Sequence, residues 1–429
     1  MKPSTLVKQF ILMSFFGSSI SAHADSNDFS FDLSAYQKKP YEISGHFDLQ
    51  ASVSRIDQNS AASVLTYGSN PPKSLSQYYS ELEFSGLYRA GDSTLNWQTL
   101  AQLENSNLPN LETKSKITFQ QLYAHFSVSQ KWQIDLGKKT VKWGKSYAWN
   151  PVGFIEYTKN PEDPELSREG FVMTALNYQQ GSIGAWKNLS HSLYLLPRNR
   201  DINSELNADS GMTIAFKSSL LIEQTDLDFY LRYDSASNAS SQQAFGFSFA
   251  SNLSSNLEIH GDFAYLKNAD SWQWNSNQLS PQTQNLWQQV IGLRYLDQHD
   301  ITWILEWLHQ PQALASSDLH EFNQQILEST IPQTQFAKTI FNQPTALQNQ
   351  FYLKASQKDW LGIVYLNASL SLLFNPSDKS FALTPEWIYQ PAKNHELRLR
   401  TSWLQGQQFT QYGEKLADYK LDIRWRYYY

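Results

Sequence analysis

The chain has 429 residues, of which 14% are aromatic and none is cysteine, and its net charge of −6 argues against nucleic acid as a partner. Its length suits either about two or three soluble domains or one large barrel. The mean hydropathy of −0.50 excludes a bundle of membrane-spanning helices but allows a transmembrane barrel, because half of each barrel strand faces water.

The first 24 residues have the features of a secretory signal peptide. Lys2 and Lys8 supply positive charge, residues 10–20 form an apolar run, and residues 22–24 read Ala-His-Ala, an A-x-A cleavage site. The apolar run is shorter than the roughly 20 residues that a membrane-spanning helix needs. We therefore expect cleavage near Ala24 and no membrane-spanning helix.

Most of the remaining chain alternates between apolar and polar residues, as in strands whose successive side chains point to opposite faces. The predicted strands are 45–56, 77–89, 93–104, 116–128, 131–142, 170–180, 182–196, 211–221, 225–234, 242–251, 256–267, 284–297, 300–309, 349–357, 359–373, 379–390, 394–405 and 418–429. The pattern predicts an all-β fold, a transmembrane antiparallel β-barrel of about eighteen strands over residues 45–429. Sixteen strands are the alternative, because strand ends are hard to place. Residues 25–44 are expected to form an N-terminal periplasmic segment.

Two strands show the alternation most clearly. In 300–309, Trp303 and Leu305 alternate with Glu306, so we expect Arg at Trp303 or Leu305 to be costly and replacement of Glu306 to be tolerated. The last strand ends on alternating aromatics, and an aromatic final residue resembles the sorting signal of bacterial outer-membrane barrels. A soluble sheet with one wet face would alternate in the same way. Aromatics at the strand end favour a membrane interface instead.

The connections between predicted strands alternate between short and long. The short ones fall near Gly91, Gln130, Gly181, Gln224, Ser254, Gln298, Lys358 and Lys393. Outer-membrane barrels have short periplasmic turns and long extracellular loops, so this rhythm predicts the orientation. The long extracellular loop 309–348 contains a predicted helix at 317–328, which either folds over or into the mouth or is incidentally helical.

The most distinctive stretch is residues 143–169, WGKSYAWNPVGFIEYTKNPEDPELSRE. Its three prolines exclude regular strand pairing. Its five aromatic residues would be more stable when buried, and the barrel interior is the place where they can be buried. The segment is therefore predicted to fold inward as a constriction loop.

Charged and aromatic residues in this stretch, just before it and on the closing hairpin are the candidate constriction and lumen residues. They are Lys139, Lys142, Trp143, Lys145, Trp149, Asp163, Glu165, Arg168, Glu169, Arg398, Arg400, Arg424 and Arg426. Opposed charges at a constriction would select solutes by charge, or the charges would pair and pin the loop to the wall; both can hold. For the four arginines, pairing with lumen carboxylates such as Glu81, Glu83 and Asp422 is favoured over attraction of anionic solutes.

The pattern KWGK…WNPV…DPE…REG within residues 142–170 resembles the corresponding segment of an uncharacterised family of Gram-negative outer-membrane barrels. These are similar to porin-like and alginate-export-like barrels, and relatives are often linked to inner-membrane exporters of the resistance–nodulation–division type. The resemblance implies an outer-membrane barrel and a periplasmic or inner-membrane exporter as a candidate partner. It does not identify the transported molecule.

No enzyme motif and no spaced metal-ligand pattern stands out, so we expect no enzymatic activity, cofactor or metal. The predicted function is an outer-membrane porin-like channel for small polar or amphipathic solutes. An export component for hydrophobic or lipid-like cargo is the alternative, and a barrel enzyme is disfavoured. The expected partners are outer-membrane lipids, lipopolysaccharide and the barrel assembly machinery. The sequence leaves the solute, the direction of transport and the oligomeric state open.

Overall fold

The computed structural model describes residues 39–107, 113–164, 168–206, 210–235, 242–275, 278–328, 340–341, 343 and 345–429. The chain divides into two units, Met1–Lys39 and Pro40–Tyr429, and the account below concerns the second. The predicted signal peptide, its cleavage site and the candidate Glu165 lie outside the described residues.

The described residues form eighteen strands, two short α-helices in loops and one 3-10 turn. The strands are β1 (Tyr41–Ile56), β2 (Ser74–Ala90), β3 (Ser93–Ser106), β4 (Lys114–Ser127), β5 (Trp132–Lys139), β6 (Phe171–Ile183), β7 (Trp186–Arg198), β8 (Gly211–Ile222), β9 (Thr225–Asp234), β10 (Gln243–Ser254), β11 (Leu257–Asn275), β12 (Gln278–Leu296), β13 (Ile301–His309), β14 (Asn349–Gln357), β15 (Leu366–Phe374), β16 (Phe381–Ala392), β17 (His395–Gln405) and β18 (Ala417–Tyr428). The helices are α1 (Ala61–Tyr67) and α2 (Ser316–Leu327), and the 3-10 turn is Trp360–Gly362.

Each strand pairs antiparallel with its neighbours in sequence, and the first strand closes the circle with the last. In the closing pair of β1 and β18, Leu49 lies opposite Trp425 and Asp48 lies opposite Arg426. A closed barrel leaves no strand edge unpaired. The predicted fold class and the predicted number of eighteen strands are therefore confirmed.

Large apolar side chains cover the outside of the barrel. On β13, Leu305 is 44% exposed while the next residue, Glu306, is fully buried on the inward face. This apolar outer belt includes Leu82, Phe84, Leu95, Phe229, Leu231, Leu293, Trp303, Leu305, Leu397, Leu399 and Ile423. Such a continuous apolar surface is unfavourable in water and suits the hydrocarbon of a bilayer. The barrel therefore has the surface of a membrane-spanning protein.

The described part of the chain contains no helix that is both long and apolar enough to cross a membrane.

The barrel has a short-turn end and a long-loop end. Short turns join β2 to β3, β4 to β5 and β16 to β17, whereas residues 57–73, 140–170 and 310–348 form long loops at the opposite end. Since successive connections alternate between the two ends of an antiparallel barrel, this arrangement matches the predicted rhythm.

Several predicted strand boundaries are wrong. β1 begins at Tyr41, so it includes residues 41–44 of the predicted N-terminal periplasmic segment. β11 and β12 continue far beyond their predicted limits and pair as an extended hairpin, with Trp274 opposite Leu279. The sequence predicts no strand over residues 268–283. Backbone hydrogen bonds between the two strands build it, and Trp274 from this extension is buried in an apolar cluster at the long-loop end.

Helix α2 confirms the predicted helix in the long loop and packs its apolar face at the long-loop end. With α1, which the sequence did not predict, it forms a small apolar core that we call the loop roof. The buried members of the loop roof are Ala61, Leu65, Trp274, Leu314, Leu319, Phe322, Ile326, Ile340, Ala346 and Leu347. Asn323 also donates to the backbone oxygen of Phe409 at 3.1 Å. The helix is therefore packed in place, which favours the interpretation that it folds over the mouth.

Candidate functional site

The inward loop, residues 140–170, lies inside the barrel in its described parts. Trp143, Val152, Phe154 and Ile155 are buried against the inward faces of β6 to β11. The wall there includes four alanines, namely Ala175, Ala215, Ala244 and Ala264. Small inward residues leave room for a loop that a wall of large side chains would exclude. The segment thus folds inward, as its aromatic content predicted.

Trp143 anchors the start of the loop. Its ring stacks on Tyr230, with 4.9 Å between ring centroids, and contacts Tyr194 edge-on at 5.7 Å. The next residue, Gly144, donates its N–H to the Tyr230 hydroxyl at 3.0 Å. Gly144 has a φ of +89°, and a Cβ there would lie 2.8 Å from a carboxylate oxygen of Asp262. Both the conformation and the close approach require glycine.

Two buried carboxylates, which we call the carboxylate clamp, hold four consecutive N–H groups of the loop. Asp262 on β11 accepts from Lys145 and Ser146 at 2.9 and 3.1 Å. Glu306 on β13 accepts from Tyr147 and Ala148 at 2.5 and 2.9 Å. Hydrogen bonds to a carboxylate are roughly twice as strong as neutral ones. The clamp therefore fixes the loop to one side of the wall.

His260 completes the clamp from the same strand as Asp262. Its Nε2 lies 2.9 Å from Glu306 Oε1, and both side chains are fully buried. The facing residue on β12 is Gly292, where a Cβ would lie 2.3 Å from His260 Nε2. Alternation placed Glu306 inward but did not identify it as a ligand of the loop backbone. The expectation that its replacement would be tolerated is therefore not supported by the structure.

The lysines and the arginine near the start and end of the loop are mostly paired. Lys145 lies 3.1 Å from Asp228, Lys139 lies 2.6 Å from Asp135, and Arg168 lies 2.9 Å from Glu156, all nitrogen to oxygen. Lys138 pairs with the candidate residue Glu169, whereas Lys142 is exposed. These contacts match the interpretation that the charges pin the loop.

The far part of the loop reaches the closing hairpin through Asp163. Its Oδ2 lies 2.6 Å from Arg400 and 3.2 Å from Arg398. Both arginines also contact Glu386, at 2.8 and 3.2 Å. The loop therefore extends from β5 and β6, across the clamp, to β17. The predicted site residues Arg398 and Arg400 share the predicted site carboxylate Asp163.

The other two candidate arginines, Arg424 and Arg426, also pair. Arg424 lies 2.6 Å from Glu396, and Arg426 holds Asp48 with two nitrogens at 2.7 and 2.6 Å. These arginines therefore pair with carboxylates, as the favoured interpretation predicts, but the partners are Glu396 and Asp48 and not Glu81, Glu83 or Asp422. Glu81 bonds to His46, Glu83 bonds to Gln98, and Asp422 lies beside Lys420. Alternation along one strand cannot show which strand supplies the partner.

Trp149, the remaining aromatic candidate, joins the inward loop to the long loop 310–348. It packs beside Tyr352, with 6.2 Å between ring centroids, and its indole N–H donates to Thr345 Oγ1 at 3.3 Å. Thr345 in turn donates to Gln350 at 2.6 Å. The inward loop and the loop at the mouth are thus in direct contact.

Burial and charge shift the titration of three loop residues in different directions. Burial raises the pKa of Glu156 despite the nearby Arg168, and burial lowers the pKa of Lys159. Burial alone would raise the pKa of Asp163, but hydrogen bonds and charge from Arg400 and Arg398 outweigh it and lower the pKa.

One group of described residues has ligand atoms close enough to hold a metal ion. These atoms belong to His46, Asp48 and Glu81 and lie within 4.8 Å of one another. Both oxygens of Asp48 already bind Arg426, whose fixed positive charge opposes a cation. We therefore assign no metal site to this group.

The fold and the clamped loop define a membrane-spanning β-barrel whose lumen is partly filled by its own loop. No protein-family model and no curated protein matches the chain. Solved structures share the fold, among them OccAB1 from Acinetobacter baumannii, with a TM-score of 0.53, 10% identity, and coverage of 91% of this chain and 96% of that chain. OccK2 (OpdF) from Pseudomonas aeruginosa in complex with glucuronate has a TM-score of 0.52, 9% identity, and coverage of 90% and 97%. OpdQ from Pseudomonas aeruginosa has a TM-score of 0.52, 11% identity, and coverage of 91% and 98%.

Proposed function

We propose that this protein is an outer-membrane channel through which small polar or amphipathic solutes diffuse past the inward loop. The observation that carries the proposal is that inward polar side chains opposite the clamp are accessible to water. The side chain of Lys420 is 44% exposed and that of Glu81 is 24% exposed, and inward-facing Gln102 and Lys116 are exposed as well. An accessible polar inner surface beside a fixed loop suits an aqueous passage.

The arrangement of contacts supports passage on one side of the lumen. The clamp holds the loop against β11 and β13, whereas the polar side chains of β18 and β1 to β4 face it from across the barrel. A similar barrel, OccK2, was solved with glucuronate, a small polar molecule. Selection would come from the charged groups beside the loop, Asp163 with Arg398 and Arg400 in particular.

The orientation and the partners belong to the same proposal. The short-turn end would face the periplasm, and the apolar outer belt would contact outer-membrane lipids, with lipopolysaccharide around the long-loop end. The barrel assembly machinery would insert the chain. A periplasmic or inner-membrane exporter remains the partner that the alternative function requires, and that alternative predicts a barrel that does not conduct on its own.

Single-channel conductance in planar bilayers tests the proposal. The intact protein and a variant lacking residues 146–166 are compared after heat-modified electrophoretic mobility has shown that both are folded. Open conductance in the intact protein that rises on deletion supports a channel narrowed by the loop. A protein that conducts only after deletion indicates a plug and favours the partnered exporter. Absence of conductance in both the intact protein and the deletion variant would contradict the proposed channel.

A further inference from the structure

A cavity of about 880 Å³, which we call the chamber, lies on the long-loop side of the inward loop. Its floor is formed by the inward loop, its sides by residues of β6, β9 and β11 to β13 and by Glu205 and Leu206, and its top by residues of the loop 310–348. Leu314, Ile340 and Ala346 belong both to the chamber lining and to the loop roof. The volume falls in the range of about 300–1,000 Å³ that is typical of small-molecule sites.

The chamber offers apolar surface from each of its sides. Trp149, Phe154 and Tyr157 come from the inward loop, and Leu266 and Leu286 come from the extended hairpin. Tyr157 is held flat against Phe171, with ring planes 2° apart and centroids 4.8 Å apart. Aromatic faces that packing holds in place are suited to bind a ring or a short apolar group at little entropic cost.

The charged groups that line the chamber already have partners. Glu156 accepts from the Trp143 N–H and pairs with Arg168 at 2.9 Å. Lys159 donates to the Ser146 oxygen at 2.5 Å, and Arg232 pairs with Asp234 at 2.5 Å.

Three further hydrogen bonds involve the charged groups of the lining. Arg232 also donates to the backbone oxygens of Phe154 and Leu206 at 2.8 and 2.9 Å. The fourth charged group, Glu205, hydrogen-bonds with the Tyr157 hydroxyl. A charged ligand would have to break one of these contacts or be buried without a counter-ion, and either is costly.

Neutral polar groups remain available in the chamber. Within the described part of the chain, the Gln288 side chain has no hydrogen-bond partner, and Gln312 uses its oxygen to accept from the Trp287 N–H at 2.9 Å. Their carboxamide groups can donate to, and in the case of Gln288 also accept from, hydroxyl groups of a ligand. The lining therefore combines apolar ring surface with uncommitted neutral hydrogen-bonding groups.

We infer that the chamber is a binding site for an uncharged amphipathic solute that has one apolar ring face and several hydroxyl groups. This inference rests on the proposed function and assigns a substrate class to it. The Asp163, Arg398 and Arg400 cluster, to which the proposed function assigns charge selection, does not line the chamber.

Isothermal titration calorimetry of the full chain in detergent micelles tests the inference with three probes of matched shape. Phenyl β-glucoside carries a ring and hydroxyl groups without charge, phenyl β-glucuronide adds a carboxylate, and methyl β-glucoside lacks the apolar ring. The expected result is that phenyl β-glucoside binds at least about tenfold more tightly than either of the others. Equal binding of the glucuronide would overturn the inference, as would equal binding of the methyl glycoside.

Two variants place the binding in the chamber. Ala313→Trp fills the cavity and is expected to abolish binding, whereas Ala392→Trp, at the short-turn end of β16, is the control and is expected to leave it unchanged. Gln288→Leu keeps the side-chain size but removes the carboxamide, and it should weaken binding about three- to tenfold. Binding that survives Ala313→Trp would reflect the micelle or another surface and would overturn the assignment.

Conductance separates this inference from the proposed function. A protein that conducts but does not bind phenyl β-glucoside contradicts the chamber assignment and leaves the channel intact. A protein that binds the glucoside selectively but does not conduct contradicts the channel and supports the chamber as a binding site. Loss of glucoside binding in Ala313→Trp, with folding confirmed by heat-modified mobility, supports the assignment in either case.

Discussion

Asp262 and Glu306 lie on strands β11 and β13, and together their carboxylates accept the N–H groups of four consecutive residues of the inward loop. Neither carboxylate is exposed to solvent. A buried carboxylate is costly unless it is fully hydrogen-bonded, and the loop backbone provides that compensation. The carboxylates of the wall and the N–H groups of the loop therefore supply each other's hydrogen bonds. If one partner is lost, the other remains buried without a hydrogen bond, which costs the full desolvation free energy.

Glu306→Gln should loosen the inward loop. The amide can accept only one of the two N–H groups, and it removes the negative charge beside His260. Hydrogen bonds to charged groups contribute about 1.5–3 kcal/mol, so local opening of the loop should become about tenfold or more frequent. The rate of limited proteolysis within residues 143–164 measures this opening. Glu104→Gln, on the inward face of β3, is the control. Equal cleavage rates in both variants would contradict the clamp.

Asp163→Asn should make the channel more selective for anions. The change removes a negative charge that lies 2.6 Å from Arg400 and 3.2 Å from Arg398, leaving Glu386 as their acid partner among the described contacts. The chloride-to-potassium permeability ratio should rise by up to about tenfold, because a local positive charge concentrates anions. The reversal potential in a KCl gradient reports this ratio. Glu162→Gln removes the same charge from an exposed neighbouring position and should have little effect. A larger shift in that control would show that general charge, not the arginine pair, sets selectivity.

Acidification should affect the two loop carboxylates in a fixed order. The pKa of Glu156 is raised by burial, so its ionised form is disfavoured in the fold, and it takes up a proton first as the pH falls. The pKa of Asp163 is lowered because the arginines outweigh burial, so its stabilising contribution is present above the unfolded value of about 3.9 and is lost only as pH falls through the lower folded value.

Current recordings between neutral pH and pH 3 would resolve the two steps. Protonation of Glu156 weakens its ion pair with Arg168, which helps to pin the inward loop, so the conductance should fluctuate more. This change should occur at a higher pH than the change in ion selectivity, which depends on Asp163. Glu156→Gln should remove the first step and leave the second in place. If ion selectivity changed first in the wild-type protein, the assigned directions of the two pKa shifts would be wrong.

Leu305→Arg should destabilise the barrel in a bilayer. Leu305 belongs to the apolar outer belt, and an arginine on the lipid face costs roughly 2–4 kcal/mol near the bilayer midplane. Reversible urea unfolding in lipid vesicles measures the loss in the free energy of unfolding. Gln102→Arg introduces the same side chain on the inward, water-accessible face and should be tolerated. Equal destabilisation by both substitutions would contradict the assignment of inner and outer faces.

The sequence by itself determined the barrel, a strand number of about eighteen with sixteen as the alternative, and the face to which Trp303, Leu305 and Glu306 belong. These features are local, because an alternation of period two fixes the direction of every second side chain. The aromatic residues and prolines of the inward loop likewise predicted that it would leave the strand ladder and be buried. Helix α2 was recognisable from the apolar stripe that includes Phe322 and Ile326.

The tertiary structure alone decided which groups meet. Asp163 and Arg400 are 237 positions apart, and Arg426 and Asp48 are 378 apart, so their pairing depends on closure of the barrel and on the path of the loop. The clamp, the extension of β11 and β12 and the chamber could not be predicted for the same reason. Alternation of apolar and polar residues along a strand predicts which way a side chain points. Only the register of non-adjacent strands and the space between them determine what that side chain contacts.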